Sequence, residues 1–173
     1  MRIQAIARVL PASIALAALM GSTSILAQSR GGTVLAPSNL EKMLPATVYY
    51  DGQPAPVQMR NSGGVKFTDG HFVLASLVDT SGYSTGIATK YQGYLIAEVP
   101  LKIEDKSLPA GAYGFGFLTG GKFLVTDLGG HDVLTAQSTA DAAMTRPRPL
   151  QVMADPAGGF RLYAGRSYVH FNR

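Results

Sequence analysis

The sequence predicts an all-β fold, a mostly antiparallel β-sandwich or barrel of about nine or ten short strands. Glycine occurs 20 times in 173 residues while charged residues make up only 15%, a composition that suits a turn-rich β domain. Short apolar stretches are separated by turn sequences roughly every 8–12 residues, the spacing typical of sandwiches and barrels. The connections are too short for βαβ crossovers, so neighbouring strands should run antiparallel.

Turn residues mark the expected hairpins. Asp-Gly pairs and a Gly-Gly pair favour tight reversals between two extended segments. The sequence predicts hairpins around Asp51-Gly52, around Asp69-Gly70 and around Gly120-Gly121. Residues 72–78 are apolar at both odd and even positions except at Ser76, so they should form a central strand that is covered on both faces.

One helix is expected near the start of the domain. Ser38 and Glu41 have the spacing of a capping box, in which the glutamate three residues later reaches back to the capping residue. The prediction is a short helix over residues 39–44, which ends before Pro45.

The first 27 residues have the pattern of a cleavable signal peptide. Arg2 and Arg8 precede an apolar stretch at residues 14–20, and Ala27 supplies a small residue at the cleavage site. That stretch is too short for a transmembrane helix, so no span is expected after cleavage. The sequence thus predicts export to the periplasm or the extracellular space. The remainder divides into a leader at residues 28–44 and a single β domain at residues 45–173.

Charge and cysteine content exclude several classes of function. Without residues 1–27 the chain keeps 13 basic and 11 acidic residues, a charge of +2 spread along the sequence. Nucleic-acid binding requires a clustered basic face, so this class is not expected. The absence of cysteine excludes disulfides, a thiol nucleophile and a lipid-modified N-terminal cysteine. No cofactor motif is present, and none is predicted to bind.

An aromatic stripe stands out at residues 113–117. Tyr113, Phe115 and Phe117 alternate with Gly114 and Gly116, so the rings should share one face of a strand. The favoured interpretation is a core face, with the bare glycine face open to close approach by another element. A stacking platform for a ligand is the alternative.

Four residues are candidate contacts for a ligand or a partner. Tyr83 lies in a polar loop at residues 79–86, and such Ser/Gly/Tyr-rich loops make adaptable binding surfaces. Arg146 and Arg148 belong to a stiff Arg-Pro-Arg-Pro segment that can present two cations to a polyanion or a protein. Arg166 sits in a predicted turn. These residues favour a binding module without catalysis, whose partner is an envelope protein or a small ligand.

Two alternatives remain open at this stage. A small hydrolase or metal-dependent enzyme would use His71, Asp127, His131 and Asp132, because imidazole and carboxylate groups are common metal ligands. A structural or assembly protein would instead pair an edge strand near residues 32–36 with another chain. The oligomeric state does not follow from the sequence.

One short segment carries a resemblance. Leu-Pro-Ala-Gly-Ala-Tyr-Gly at residues 108–114 resembles the turn-into-strand signature of prealbumin-like β-sandwich domains in exported bacterial proteins. The chain also resembles uncharacterised exported bacterial β-proteins, in the segments at residues 57–61 and 129–134. The resemblance implies a sandwich and export, and it implies no activity and no site residue.

Overall fold

Two antiparallel sheets face each other as a sandwich, which decides between the two predicted architectures. The computed structural model describes residues 31–173, and the predicted signal peptide at residues 1–27 lies outside the described residues. The strands are β1 (Gly32–Leu35), β2 (Thr47–Tyr50), β3 (Gln53–Phe67), β4 (Phe72–Val78), β5 (Gly93–Ala97), β6 (Leu101–Ile103), β7 (Lys106–Leu108), β8 (Gly111–Leu118), β9 (Lys122–Thr126), β10 (Asp132–Gln137), β11 (Thr139–Ala140), β12 (Arg148–Ala154), β13 (Phe160–Gly165) and β14 (Ser167–Asn172). The helices are α1 (Pro37–Leu40) and α2 (Thr85–Lys90).

The large sheet has eight strands and the small sheet has six. The large sheet runs in the order β1-β3-β4-β5-β8-β9-β10, with β2 paired to the first half of β3. The small sheet runs in the order β12-β13-β14-β6-β7, with β11 paired to β14. Every strand pair in both sheets is antiparallel, as predicted.

The main core lies between the two sheets. Alternate residues of the central strands point inward, and the predicted stripe of β8 is part of this layer: Tyr113 and Phe115 are buried and Phe117 packs against them. Strand β4 is buried on both of its faces, which confirms its predicted central position. A small apolar void of about 10 Å³ remains between the sheets, so this core offers no room for a drug-sized ligand.

A second layer covers the outer face of the large sheet. The β2–β3 hairpin folds over it, so that Tyr50 stacks on Tyr91 at 3.8 Å between ring centroids. The Tyr50 hydroxyl lies 3.0 Å from the Thr126 hydroxyl on β9. This close approach depends on the bare face of β8, because a Cβ atom on Gly114 would lie 2.6 Å from the Tyr50 ring. A Cβ atom on Gly116 would overlap the carbonyl oxygen of Lys90 at the end of α2.

Local departures from the predicted elements have physical causes. The strand after the Asp51-Gly52 turn and the strand before the Asp69-Gly70 turn are one 15-residue strand, β3, which is interrupted by an irregularity between Gln58 and Ser62. Helix α2 falls at the end of the predicted polar loop, where Ser84 caps the backbone N–H of Ile87. A helix of six residues with two threonines and a glycine has neither strong propensity nor a readable period.

The predicted helix at residues 39–44 begins two residues earlier and ends at Leu40. Pro37 occupies the first turn, where its missing N–H is harmless. The capping residue is Ala36 and not Ser38, and the side chain that reaches back is that of Asn39 and not that of Glu41: it accepts a hydrogen bond from the N–H of Ala36 at 3.1 Å. The predicted leader is integrated into the sandwich from Gly32 onward, since β1 pairs with β3 and Leu40 is fully buried. Neither helix in residues 31–173 has the length and apolar character needed to cross a membrane.

We predict that Gly116→Ala destabilises the fold by about 1–3 kcal/mol, because the added methyl group must displace the backbone at the end of α2. Chemical unfolding followed by circular dichroism measures this loss. Gly86→Ala in α2 is the matched control, since a Cβ atom there meets nothing within 4 Å and alanine favours a helix. Equal stability of the two variants would contradict the proposed packing.

Candidate functional site

Three of the four predicted contact residues come together at one end of the small sheet. Arg148 begins β12 and lies opposite Gly165 on β13. Arg166 follows directly in the turn between β13 and β14, and its Nε donates a hydrogen bond to the carbonyl oxygen of Met144 at 3.2 Å. Arg146 lies two residues after Met144, in the connection that leads from β11 to β12. Arg146, Arg148 and Arg166 are hereafter the arginine surface.

The three guanidinium groups are available to a partner. All three residues are exposed, and none takes part in an ion pair within residues 31–173. Guanidinium groups bind carboxylate, phosphate and sulfate-like anions through paired N–H donors. The arrangement therefore suits recognition of an anion.

The connection between β11 and β12, residues 141–147, is held against the outer face of the small sheet. The Tyr163 hydroxyl donates a hydrogen bond to Oδ2 of Asp141 at 2.9 Å, and the N–H of Asp141 donates to the carbonyl oxygen of Arg166 at 2.8 Å. The amide of Gln151 contacts the sulfur of Met144 at 3.4 Å. These contacts fix the position of Arg146 and Arg166 before any partner binds, which lowers the entropic cost of binding.

A buried ion pair supports this arrangement from the same face. Arg161 donates to both carboxylate oxygens of Asp155, at 2.7 and 3.1 Å, and its guanidinium lies 4.5 Å from the ring centroid of Tyr168. Burial tends to raise the pKa of Asp155, but the hydrogen bonds from Arg161 and Ala157 outweigh it and lower that pKa. The charge of Arg161 is thus balanced by Asp155, and this arginine stabilises the fold, in contrast to the three exposed arginines.

Proline restricts the backbone around Arg148. Pro147 and Pro149 fix φ near −65° and leave no N–H to pair, which makes the segment stiff. The chain bends at Thr145 and Arg146, and it is extended from Arg148 onward, where β12 begins. The predicted stiffness of Arg-Pro-Arg-Pro agrees with its place at the edge of the small sheet, where proline is tolerated.

Tyr83 is not an exposed contact, contrary to the sequence-based expectation. It is only 9% exposed and packs against Tyr50 and Tyr91. Its hydroxyl donates to the carbonyl oxygens of Tyr50, at 3.1 Å, and Gln53, at 2.8 Å. Tyr83 therefore fastens the β2–β3 hairpin to the outer layer. The sequence does not predict this role, because the residues around Tyr83 are polar and suggest an exposed loop.

The four candidate metal ligands, His71, Asp127, His131 and Asp132, fall into three separate pairs. His71 lies 3.1 Å from Asp69, which also pairs with Arg173. Asp127 accepts from His131 within the β9–β10 turn, and Asp132 pairs with Lys90 on α2. No group of three or more histidine, cysteine, aspartate or glutamate side chains in residues 31–173 has metal-binding geometry. These residues therefore do not assemble the His/Asp site that the enzyme alternative requires.

An open cleft of about 650 Å³ lies at the opposite end of the small sheet from the arginine surface. Its lining includes the β12–β13 turn, His170 and Arg173. The imidazole of His170 is bonded to the carbonyl oxygen of Gly158 at 2.7 Å, and Arg173 is paired with Asp69. The Oδ1 of Asn172, also in the lining, is a buried acceptor without a hydrogen-bond partner. The imidazole and the guanidinium of the cleft are engaged with the protein itself, so the arginine surface is the better candidate for binding an anion.

Comparison with protein-family models, with curated proteins and with solved structures finds no match to this chain. The candidate site consequently rests on its own geometry. The sequence indicates the three arginines, but it does not indicate that Asp141, Met144 and Tyr163 hold the connection next to them. The only signal in the sequence was the alternation of β13, which places Arg161 and Tyr163 on one face.

We predict that Tyr163→Phe costs about 1 kcal/mol of stability and accelerates amide hydrogen exchange in residues 141–147, because the hydrogen bond to Asp141 is lost. Chemical unfolding and hydrogen exchange measure the two effects. Tyr168→Phe is the matched control, since the Tyr168 hydroxyl has no hydrogen bond among those found in residues 31–173. Unchanged exchange in Tyr163→Phe would contradict the role given to Tyr163.

We also predict that Asp155→Asn lowers stability at pH 7 by about 1–3 kcal/mol, because a charged hydrogen-bonded pair is broken. The pKa of Asp155 is lower in the folded state, so its contribution is fully present above pH 4. That contribution disappears as the pH falls through the folded-state pKa. Unfolding free energies measured from pH 7 to pH 2 should converge for the variant and the wild type, and parallel curves would count against the prediction.

Proposed function

We propose that this protein is an exported binding module that acts without catalysis and recognises an anionic partner through the arginine surface. One observation carries the proposal: the fold brings the chain positions of Arg146, Arg148 and Arg166 next to one another from two separate segments. All three are exposed, and none has an acidic partner within residues 31–173. Export is supported by the pattern of residues 1–27.

The electrostatics of the cluster favour a partner with several negative charges. Three neighbouring exposed cations attract a polyanion more strongly than the net charge of +2 on residues 28–173 suggests, because the field of a surface depends on local clustering. Asp141 is the nearest acidic group in the described connection, and its carboxylate is bonded to Tyr163. A single small anion would engage one or two of the arginines, whereas an anionic polymer or an acidic protein surface would engage all three.

Binding to immobilised dextran sulfate tests the proposal. The triple variant Arg146→Ala, Arg148→Ala and Arg166→Ala should bind at least about tenfold more weakly, which corresponds to about 1.4 kcal/mol. Raising the salt concentration from 50 to 500 mM should weaken the wild type, because salt screens exposed charges. Circular dichroism should show unchanged folding, since all three side chains are exposed.

The control removes the same charge elsewhere. Lys42, Lys102 and Lys106 are exposed and lie outside the arginine surface. Their triple alanine variant should bind like the wild type. If both triple variants lose affinity equally, only net charge matters and the proposed site is wrong.

A further inference from the structure

An exposed apolar surface lies on the outer layer of the molecule, on the side away from the small sheet. Tyr49 is 67% exposed on the β2–β3 hairpin, and Leu128 is 38% exposed in the β9–β10 turn. The two segments are joined, because the N–H of Asp51 donates to the carbonyl oxygen of Leu128 at 2.8 Å. Val133, 46% exposed, follows the same turn. Tyr49, Leu128 and Val133 are hereafter the tyrosine patch.

Three acidic residues neighbour the tyrosine patch, either along the chain or through the backbone hydrogen bond between Asp51 and Leu128. Asp51 lies at the tip of the hairpin, Asp127 in the adjoining turn and Asp132 at the start of β10. Asp127 is bonded to His131, and Asp132 pairs with Lys90 at 3.3 Å. With a neutral imidazole, the group of Asp51, Asp127, Asp132 and Lys90 carries a net charge of −2. An exposed apolar patch with a polar rim is typical of an interaction site.

The arginine surface is complementary to this patch in both charge and chemistry. Arg146, Arg148 and Arg166 together with Asp141 carry a net charge of +2. Pro147 lies between Arg146 and Arg148, Pro149 follows Arg148, and both prolines are exposed. Extended proline-containing segments bind to aromatic surfaces, and guanidinium groups bind to both carboxylates and aromatic rings.

The two surfaces cannot meet within one chain. The β2–β3 hairpin covers the outer face of the large sheet, where Tyr50 contacts Tyr91 and Thr126. The arginine surface belongs to the small sheet, which packs on the inner face. The thickness of the sandwich, about 10 Å between sheets, separates them and leaves both accessible.

We propose that the Arg-Pro-Arg-Pro edge of one copy binds the tyrosine patch of a second copy. This inference rests on the proposed function, since it names a partner for the arginine surface. The contact joins two different surfaces, so it is heterologous and head-to-tail, and its repetition generates a ring or a filament. Tyrosine and arginine are the side chains most often central to such contacts.

Sedimentation velocity of the purified chain tests the proposal. At 50 mM salt the average mass should rise with protein concentration, and 500 mM salt should weaken the association at least tenfold. A patch variant, Tyr49→Ser with Leu128→Ser, should stay monomeric. An edge variant, Arg146→Glu with Arg148→Glu, should also stay monomeric. Met153→Ser removes an apolar side chain that is 44% exposed on β12 of the small sheet, outside the tyrosine patch, and this variant should associate like the wild type.

A mixture of the two monomeric variants gives the decisive result. The patch variant keeps its arginines and the edge variant keeps its tyrosine patch, so an equimolar mixture should form a 1:1 dimer that grows no further. A wild type that stays monomeric at low salt, or a mixture that stays monomeric while both variants are folded, overturns the inference. The patch variant should still bind dextran sulfate, so loss of self-association with intact polyanion binding would leave the proposed function standing.

Discussion

The bare glycine face of β8 allows the large sheet to bury both of its surfaces. Tyr113 and Phe115 fill the core between the sheets, while Gly114 and Gly116 on the other side admit Tyr50 and the end of α2. In a chain without disulfides, this double burial adds a second apolar cluster to the main core. The outer layer, and with it the exposed side of the β2–β3 hairpin, depends on the absence of two side chains.

The small sheet is stabilised by a different kind of interaction. Its inner face joins the main core, but its outer face carries polar and charged residues rather than a second apolar layer. There, Arg161 is bonded to Asp155 and approaches Tyr163, whose hydroxyl holds Asp141. Because the polar side chains on this face are hydrogen-bonded to one another, the connection at residues 141–147 can lie on the sheet without an apolar face of its own.

Much of the fold could be predicted because it follows from local sequence. The Asp-Gly and Gly-Gly turns require a positive φ, and Gly52, Gly70, Gly120 and Gly121 all adopt one. The alternation of β8 and the double-sided apolar character of β4 likewise have local causes. What could not be predicted depends on tertiary contacts. Helix α2 forms from a short segment of weak propensity, and its end is packed against Gly116 of β8.

In the candidate site, too, local properties could be predicted from the sequence and tertiary contacts could not. The stiffness of Arg-Pro-Arg-Pro and the turn at Gly165-Arg166 are local properties, so the arginines could be found in the sequence. Their meeting is not local, because it requires Arg148 to pair with Gly165 and Met144 to accept from Arg166. Tyr83 shows the converse case: a tyrosine in a polar loop has the composition of a contact residue, but its hydroxyl bonds to two carbonyls of the hairpin that it covers. A tyrosine among polar residues in the sequence can therefore be either a binding residue or a buried one. Arginines flanked by proline are less ambiguous, because proline cannot donate a hydrogen bond within a sheet and so belongs at an exposed edge.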